Sequence, residues 1–233
     1  MVLATHTGLF RWSEDADRPE LIGTLRQDTM GFTVIGPQRY LGSGHPDLRT
    51  GQPPLLGLIS STDGGRSWSP VSLLGEVDFH ILRAAGSRVV GMDSQTGSVF
   101  VSDDAGRRWV RRTPPGELVD MVLDPADADH ILASTPAALL ISRDAGRTWA
   151  PSPGGAGHLA WPRRDTVFRV GPDGQVSASR DGGRTWKTRG RIDGEPSAFT
   201  AIDASRLLVT THDGVLIESR DGGARWTTLA DLD

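Results

Sequence analysis

"SRDGGRTW" at residues 179–186 and "SRDGGARW" at residues 219–226 are nearly the same eight-residue phrase, written twice forty residues apart. Working outward from them finds three more copies: "SRDAGRTW" at 142–149, "SDDAGRRW" at 102–109 and "STDGGRSW" at 61–68. The starting serines, Ser61, Ser102, Ser142, Ser179 and Ser219, lie 41, 40, 37 and 40 residues apart. A period of this length belongs to a supersecondary unit repeated in a stack or a ring. A sixth copy, "SEDADRPE" from Ser13 to Glu20, is decayed. It keeps Asp15 but has Asp17 in place of glycine and Glu20 in place of tryptophan.

One repeat shows what is being repeated. In residues 118–150, apolar or alternating runs at Leu118 to Leu123, Ile131 to Ser134, Ala138 to Ser142 and from Trp149 are separated by clusters of Asp, Pro and Gly. These are four short strands, a to d in chain order. No segment sustains a 3.6-residue apolar period with caps, so helices are expected to be minor. The eight-residue box falls on the turn from c to d. There its Asp is expected to accept backbone N–H bonds, its Ser to close the turn, and its Gly to take positive φ. The tryptophan at the start of strand d offers a flat apolar face for the seam with a neighbouring sheet. Asp63, Asp104, Asp144, Asp181 and Asp221 are therefore read as structural.

The S-x-D-x-G-x-x-W pattern at this period resembles the Asp-box, or BNR, repeat of sialidase-like and sortilin-like β-propellers. That superfamily also includes xyloglucan hydrolases and a photosystem II assembly factor. More narrowly, "ATHTGLFRW", "GSGHPDLRT" and "STDGGRSW" resemble a bacterial group of small propellers labelled glycosyl hydrolases. The resemblance covers nearly the whole chain and speaks to fold, since its members span enzymes, receptors and assembly factors.

Six boxes imply an all-β, six-bladed β-propeller of four-stranded antiparallel blades in a single domain over residues 1–233. The blades fall at approximately 1–25, 26–75, 76–113, 114–152, 153–190 and 191–233. Ser13 has only twelve residues ahead of it, too few for both a and b strands. The first blade is thus expected to start at strand b, "VLAT", and to lack its inner strand, unless a start site upstream supplies it.

Composition narrows the function classes. The chain of 233 residues carries a net charge of -4 with 37% apolar residues, and no apolar run approaches a membrane span. The acidic balance and the lack of a basic run argue against nucleic acid as a partner. Cysteine is absent, which removes thiolate and disulfide chemistry. "MVLATHTGLF" has no basic leader region or cleavage site, so the cytoplasm is expected, with export or a periplasmic location if an upstream segment was omitted.

Propeller connectivity puts c-to-d and a-to-b turns at one end of each blade and b-to-c and d-to-a loops at the other. Five of the six histidines map to the second end, the exception being His130. "THTG" at 5–8 and "THDG" at 211–214 occupy equivalent places in blades one and six, so a cluster of His6, His45, His80 and His212 is expected on one side of the channel mouth. The longest insertion, "GHPDLRTGQPP" from Gly44 to Pro54, adds Asp47 and Arg49 beside His45, and Asp93 lies in another loop at this end. Long loops on a rigid scaffold commonly bind ligands. The expected ligand-binding set is His6, His45, Asp47, Arg49, His80, Asp93 and His212.

Imidazoles and carboxylates together can hydrogen-bond a polar or carbohydrate-like ligand, do acid–base work, or hold a divalent metal, for which His6, His45 and His80 are the candidate ligands. A glycosidase-like hydrolase at the same mouth is the first alternative. A pair drawn from Asp28, Asp47, Glu76, Asp78, Asp93 and Glu195 would supply its acid and its nucleophile or base. Sialidase-like members imply three arginines and a Tyr nucleophile activated by Glu. The only tyrosine, Tyr40, sits nearer the box end, so a true sialidase is not expected. The second alternative is a protein-assembly scaffold using the ring of Arg66, Arg107, Arg147 and Arg184 on the box face.

Overall fold

The computed structural model describes residues 1–13 and 18–232. Asp15 and Asp17 of the decayed box lie outside the described residues. The chain divides into two compact units, Met1–Thr113 and Pro114–Asp233.

In the first unit, β1 (Val2–Thr5), β2 (Gly8–Arg11) and β3 (Glu20–Leu21) make a three-stranded sheet. The next two sheets are four-stranded: β4 (Asp28–Gly36), β5 (Arg39–His45), β6 (Leu58–Ser61) and β7 (Ser69–Ser72), then β8 (Phe79–Ala85), β9 (Arg88–Asp93), β10 (Val99–Ser102) and β11 (Val110–Arg112). A 3-10 turn at Leu48–Thr50 interrupts the β5–β6 connection.

The second unit repeats the plan. Its sheets are β12 (Asp120–Asp124), β13 (Asp127–Ser134), β14 (Leu139–Ser142) and β15 (Ala150–Ser152); β16 (His158–Arg163), β17 (Thr166–Val170), β18 (Gln175–Ser179) and β19 (Lys187–Arg191); and β20 (Pro196–Ala201), β21 (Leu207–Thr211), β22 (Val215–Ser219) and β23 (Thr227–Asp231). Every sheet pairs its strands antiparallel in chain order, so each is an up-and-down blade. The first blade has three strands, as expected, and β1 lies against β4 as β5 lies against β8.

Inner strands such as β12 and β17 are buried along their whole length, on both faces, and box tryptophans pack in the seams between sheets. Trp109 packs against the cluster that holds Leu41, Leu58, Phe79 and Leu82, and Trp68 against the cluster of Leu9, Ile22 and Tyr40, within the first unit. In the second, Trp186 joins Val122, Leu132 and Leu159, and Trp226 joins Val176, Val209 and Ile217. Phe79, with no exposed surface, stacks on Trp109 with ring centroids 5.1 Å apart. Burying a side chain of this size contributes about 1.5–3 kcal/mol.

The box turn is built as its residue types demand. In the first of the five, Ser61 Oγ donates to Asp63 Oδ1 at 2.8 Å and accepts from the Gly65 N–H at 2.8 Å, while Asp63 Oδ1 accepts from the Ser67 N–H at 3.0 Å. The same serine bonds recur at Ser102, Ser142, Ser179 and Ser219. Where the seventh residue is Ser or Thr, its hydroxyl adds a 2.6 Å bond to the second carboxylate oxygen, from Ser67, Thr148 and Thr185. These donors, the hydroxyl first, hold Asp144 and Asp181 down at about 2. Asp104 and Asp221, with Arg108 and Arg225 at that place, are lowered chiefly by a backbone N–H.

The fifth residue of the box does more than turn the chain. Gly106 has φ +83°, and a Cβ there would stand 2.1 Å from Leu58 Cδ2 of the preceding sheet. Gly65 against Leu9 and Gly223 against Val176 repeat this approach at 2.3 and 2.7 Å. The glycine therefore lets each turn lie on its neighbouring blade.

Candidate functional site

The opposite end of the blades is chemically different. In the first unit it is organised around Asp78, which immediately precedes β8. The carboxylate is 2% exposed, and its Oδ2 faces His80 Nε2 at 2.9 Å, Ser94 Oγ at 3.0 Å and His45 Nε2 at 3.4 Å. Its Oδ1 is buried and, among the described residues, has no hydrogen-bond partner. Asp78 and His80 flank Phe79 at alternate positions, so the burial of Phe79 in the blade seam turns both to the other side of the strand. A bond from the Phe79 N–H to Ser43 Oγ of the preceding sheet, 2.9 Å, fixes the start of β8.

Asp93 backs this arrangement. Its Oδ1 accepts the Asp78 N–H at 3.1 Å and its Oδ2 the Thr96 hydroxyl at 2.7 Å, and at 2% exposure it is out of a ligand's reach. It orients Asp78 through the backbone.

His45, the last residue of β5, reaches Asp78 from the base of the long insertion. Its Nδ1 donates to the Pro54 carbonyl at 2.9 Å, because a carbonyl only accepts. Nε2 then carries a proton toward Asp78 only in the imidazolium form. His6, following β1, pairs through Nδ1 with Asp28 Oδ1 at 3.0 Å and is 76% exposed. An ionised carboxylate accepts only, which puts the shared proton on His80 Nε2 and on His6 Nδ1. The other nitrogens, His80 Nδ1 and His6 Nε2, are then hydrogen-bond acceptors.

Asp47 and Arg49 do something else. Asp47 caps the 3-10 turn by accepting the Arg49 N–H at 3.0 Å, and it also takes the Arg26 N–H at 2.9 Å and the Arg49 Nε–H at 2.9 Å. Arg49 in turn donates to the Thr24 carbonyl at 2.8 Å. The Arg49 guanidinium, ahead of the two backbone donors, holds the Asp47 carboxyl well below the usual carboxylate range. This pair pins the insertion to the chain before β4.

Of the expected set, the structure thus joins His45 and His80 on Asp78 with Asp93 behind them, gives His6 its own carboxylate, and ties Asp47 to Arg49. His212 belongs to the second unit, where with His158 and Glu195 it lines a cavity of about 280 Å³. Among the described residues, no group of three or more His, Cys, Asp or Glu stands placed to hold a metal ion. Tyr40 is a core residue, edge-on to Phe32 at 5.2 Å. On the box face, Arg66, Arg107 and Arg147 each donate to the carbonyl of their own box aspartate at 2.8–3.2 Å. The hub, Asp78, was visible in the sequence only as one carboxylate among six. The signal that singles it out is its i, i+2 spacing from His80 on a strand.

The fold has solved relatives. The chain is similar to a GH74 xyloglucanase from Xanthomonas campestris, with a TM-score of 0.67, 21% identity, and 99% of this chain covered against 38% of that one. A nidogen/laminin complex gives a TM-score of 0.72 at 12% identity, covering 97% of this chain and 91% of that one. YCF48 from Cyanidioschyzon merolae gives 0.52 at 13%, covering 86% and 84%. The chain is a six-bladed β-propeller. At these identities the likeness carries the fold alone, and the propeller spans 38% of the xyloglucanase's length. No protein-family model and no curated protein matches it. No helix among the described residues is long and apolar enough to cross a membrane.

Proposed function

We propose that the propeller is a binding module that takes a polar, hydroxyl-bearing ligand of carbohydrate-like chemistry at the loop end of its first unit. The observation that carries this reading is Asp78. A buried carboxylate is costly unless its oxygens are hydrogen-bonded, and here one oxygen gathers three side chains while the other has none. The fold gains little from such a group, whereas a site gains two oriented imidazoles. With His80 Nδ1 and His6 Nε2 exposed as acceptors, the complementary ligand presents O–H donors. His80 and His6 contact it, Asp78 orients the His80 and His45 rings, and Asp93 holds Asp78.

A second reading rests on the same pair, because an imidazole backed by a carboxylate is also a general base. In that case the site hydrolyses a glycoside or a similar polar substrate. Calorimetric titration of the propeller with a panel of oligosaccharides and polyols tests the binding reading. Binding is expected to weaken at least about tenfold, 1.4 kcal/mol, in His80→Ala and in Asp78→Asn. Binding that is indifferent to both changes refutes the site. Turnover of chromogenic glycosides that disappears in His80→Ala selects the hydrolase.

A further inference from the structure

The second unit carries its own cavity at the loop end of its blades. Its walls include Pro136, Pro172 and Pro196, apolar rings with no N–H to donate, and its polar groups are Glu195, His158 and His212. His158 Nε2 donates to the Pro196 carbonyl at 3.2 Å, which leaves Nδ1 as an acceptor. His212 is held by its backbone N–H on the Glu195 carbonyl at 2.9 Å. Among the described residues, neither the His212 ring nor the Glu195 carboxylate has a hydrogen-bond or ion-pair partner.

The buried guanidinium of this unit, Arg169, does not line the cavity and donates to the Ala156 carbonyl at 2.8 Å. A free carboxylate and a free imidazole acceptor in a proline-walled hollow call for a ligand that donates, carries positive charge and has an apolar stem. At about 280 Å³ the cavity lies just under the volume range of pockets that take drug-sized molecules, which suits a small ligand.

We infer that this cavity binds a primary alkylammonium group on a stem of five or six carbons, with the ammonium on Glu195 and His158 and the stem against the prolines. Free amines and lysyl side chains share this chemistry.

The test is calorimetric titration of the full chain with pentylammonium chloride, with pentan-1-ol as the neutral control and acetyl-lysine methylamide as the lysyl probe, together with the imidazole resonances of His158 and His212. Pentylammonium is expected to bind one to one, to shift both imidazoles, and to bind at least about tenfold more tightly than the alcohol. Glu195→Gln, a change at an exposed side chain, closes that gap, and Asp78→Asn in the first unit leaves it unchanged. If acetyl-lysine methylamide matches pentylammonium, the natural group is a lysyl side chain; if it fails where the free amine binds, the natural group is a small amine. The proposal is overturned if pentan-1-ol binds as well as the amine, if Glu195→Gln leaves the affinity unchanged, or if no amine binds at roughly 10 mM.

Discussion

The two ends of the blades use the same residue types to opposite effect. At the box end, each aspartate accepts from a serine hydroxyl and from backbone N–H groups within four residues, five times over. At the loop end of the first unit, Asp78 gathers side chains from 2, 16 and 33 residues away and still has an oxygen without a partner. Local, repeated and satisfied polar groups build a fold. A long-range, single and unsatisfied one is the group on which the proposed binding site rests.

If the box end is purely structural, breaking its packing must cost stability and leave binding alone. Gly106→Ala puts an L-residue at φ +83° and a methyl 2.1 Å from buried Leu58. Left-handed strain of about 1–2 kcal/mol and overpacking of similar size predict a loss of about 3 kcal/mol in denaturant unfolding. Unchanged stability would mean that the close approach of box and blade is not part of the packing.

A smaller loss is expected on acidification, centred on His130. It is 3% exposed, stacks edge-on to Trp161 at 4.7 Å, and among the described residues its Nε2 has no partner. Burial, followed by the nearby Arg143 charge, lowers its pKa below 6.5. The unfolded chain then binds the proton more readily than the folded one, so stability falls as the pH drops below about 6.5. His130→Gln flattens that slope in urea unfolding followed against pH. The box aspartates Asp144 and Asp181, at about 2 in the fold against 3.8, act separately. Their stabilisation is present above pH 3.8 and is lost between 3.8 and 2.

The smallest effect has the opposite sign. Ala105 and Ala145 occupy the fourth place of their boxes at φ 59° and 57°, where three other boxes have glycine. Ala105 is exposed, so Ala105→Gly relieves strain of about 1–2 kcal/mol against an entropic cost of about 0.5–1 and stabilises by about 0.5–1 kcal/mol. Ala145 is 3% exposed, and losing its methyl offsets most of the same gain in Ala145→Gly. Equal shifts in thermal unfolding for the two variants would show that the buried methyl contributes nothing.

The box end was legible in the sequence because its bonds join residues two and four apart, so a repeated phrase encodes the whole turn. Six blades and the missing inner strand of the first followed from counting those phrases. The loop end was legible only as a list of candidates. Asp47 and Arg49 read like ligand groups, yet their partners at Arg26 and Thr24 lie more than twenty residues away, a pairing set by the docking of the insertion. The contact between His45 and Asp78 depends on how β5 and β8 sit side by side across two blades, which no local pattern carries. The glycine approach to Leu58 was hidden for the same reason.

The most direct test compares Asp78→Asn with Asp144→Asn, measuring unfolding and oligosaccharide binding on the same samples. Asp144→Asn is predicted to lower the unfolding midpoint and keep the affinity, whereas Asp78→Asn keeps the midpoint and loses at least about tenfold in affinity. If Asp78→Asn unfolds early and still binds when folded, the loop end is structure like the box end, and the assignment of a binding site to it is wrong.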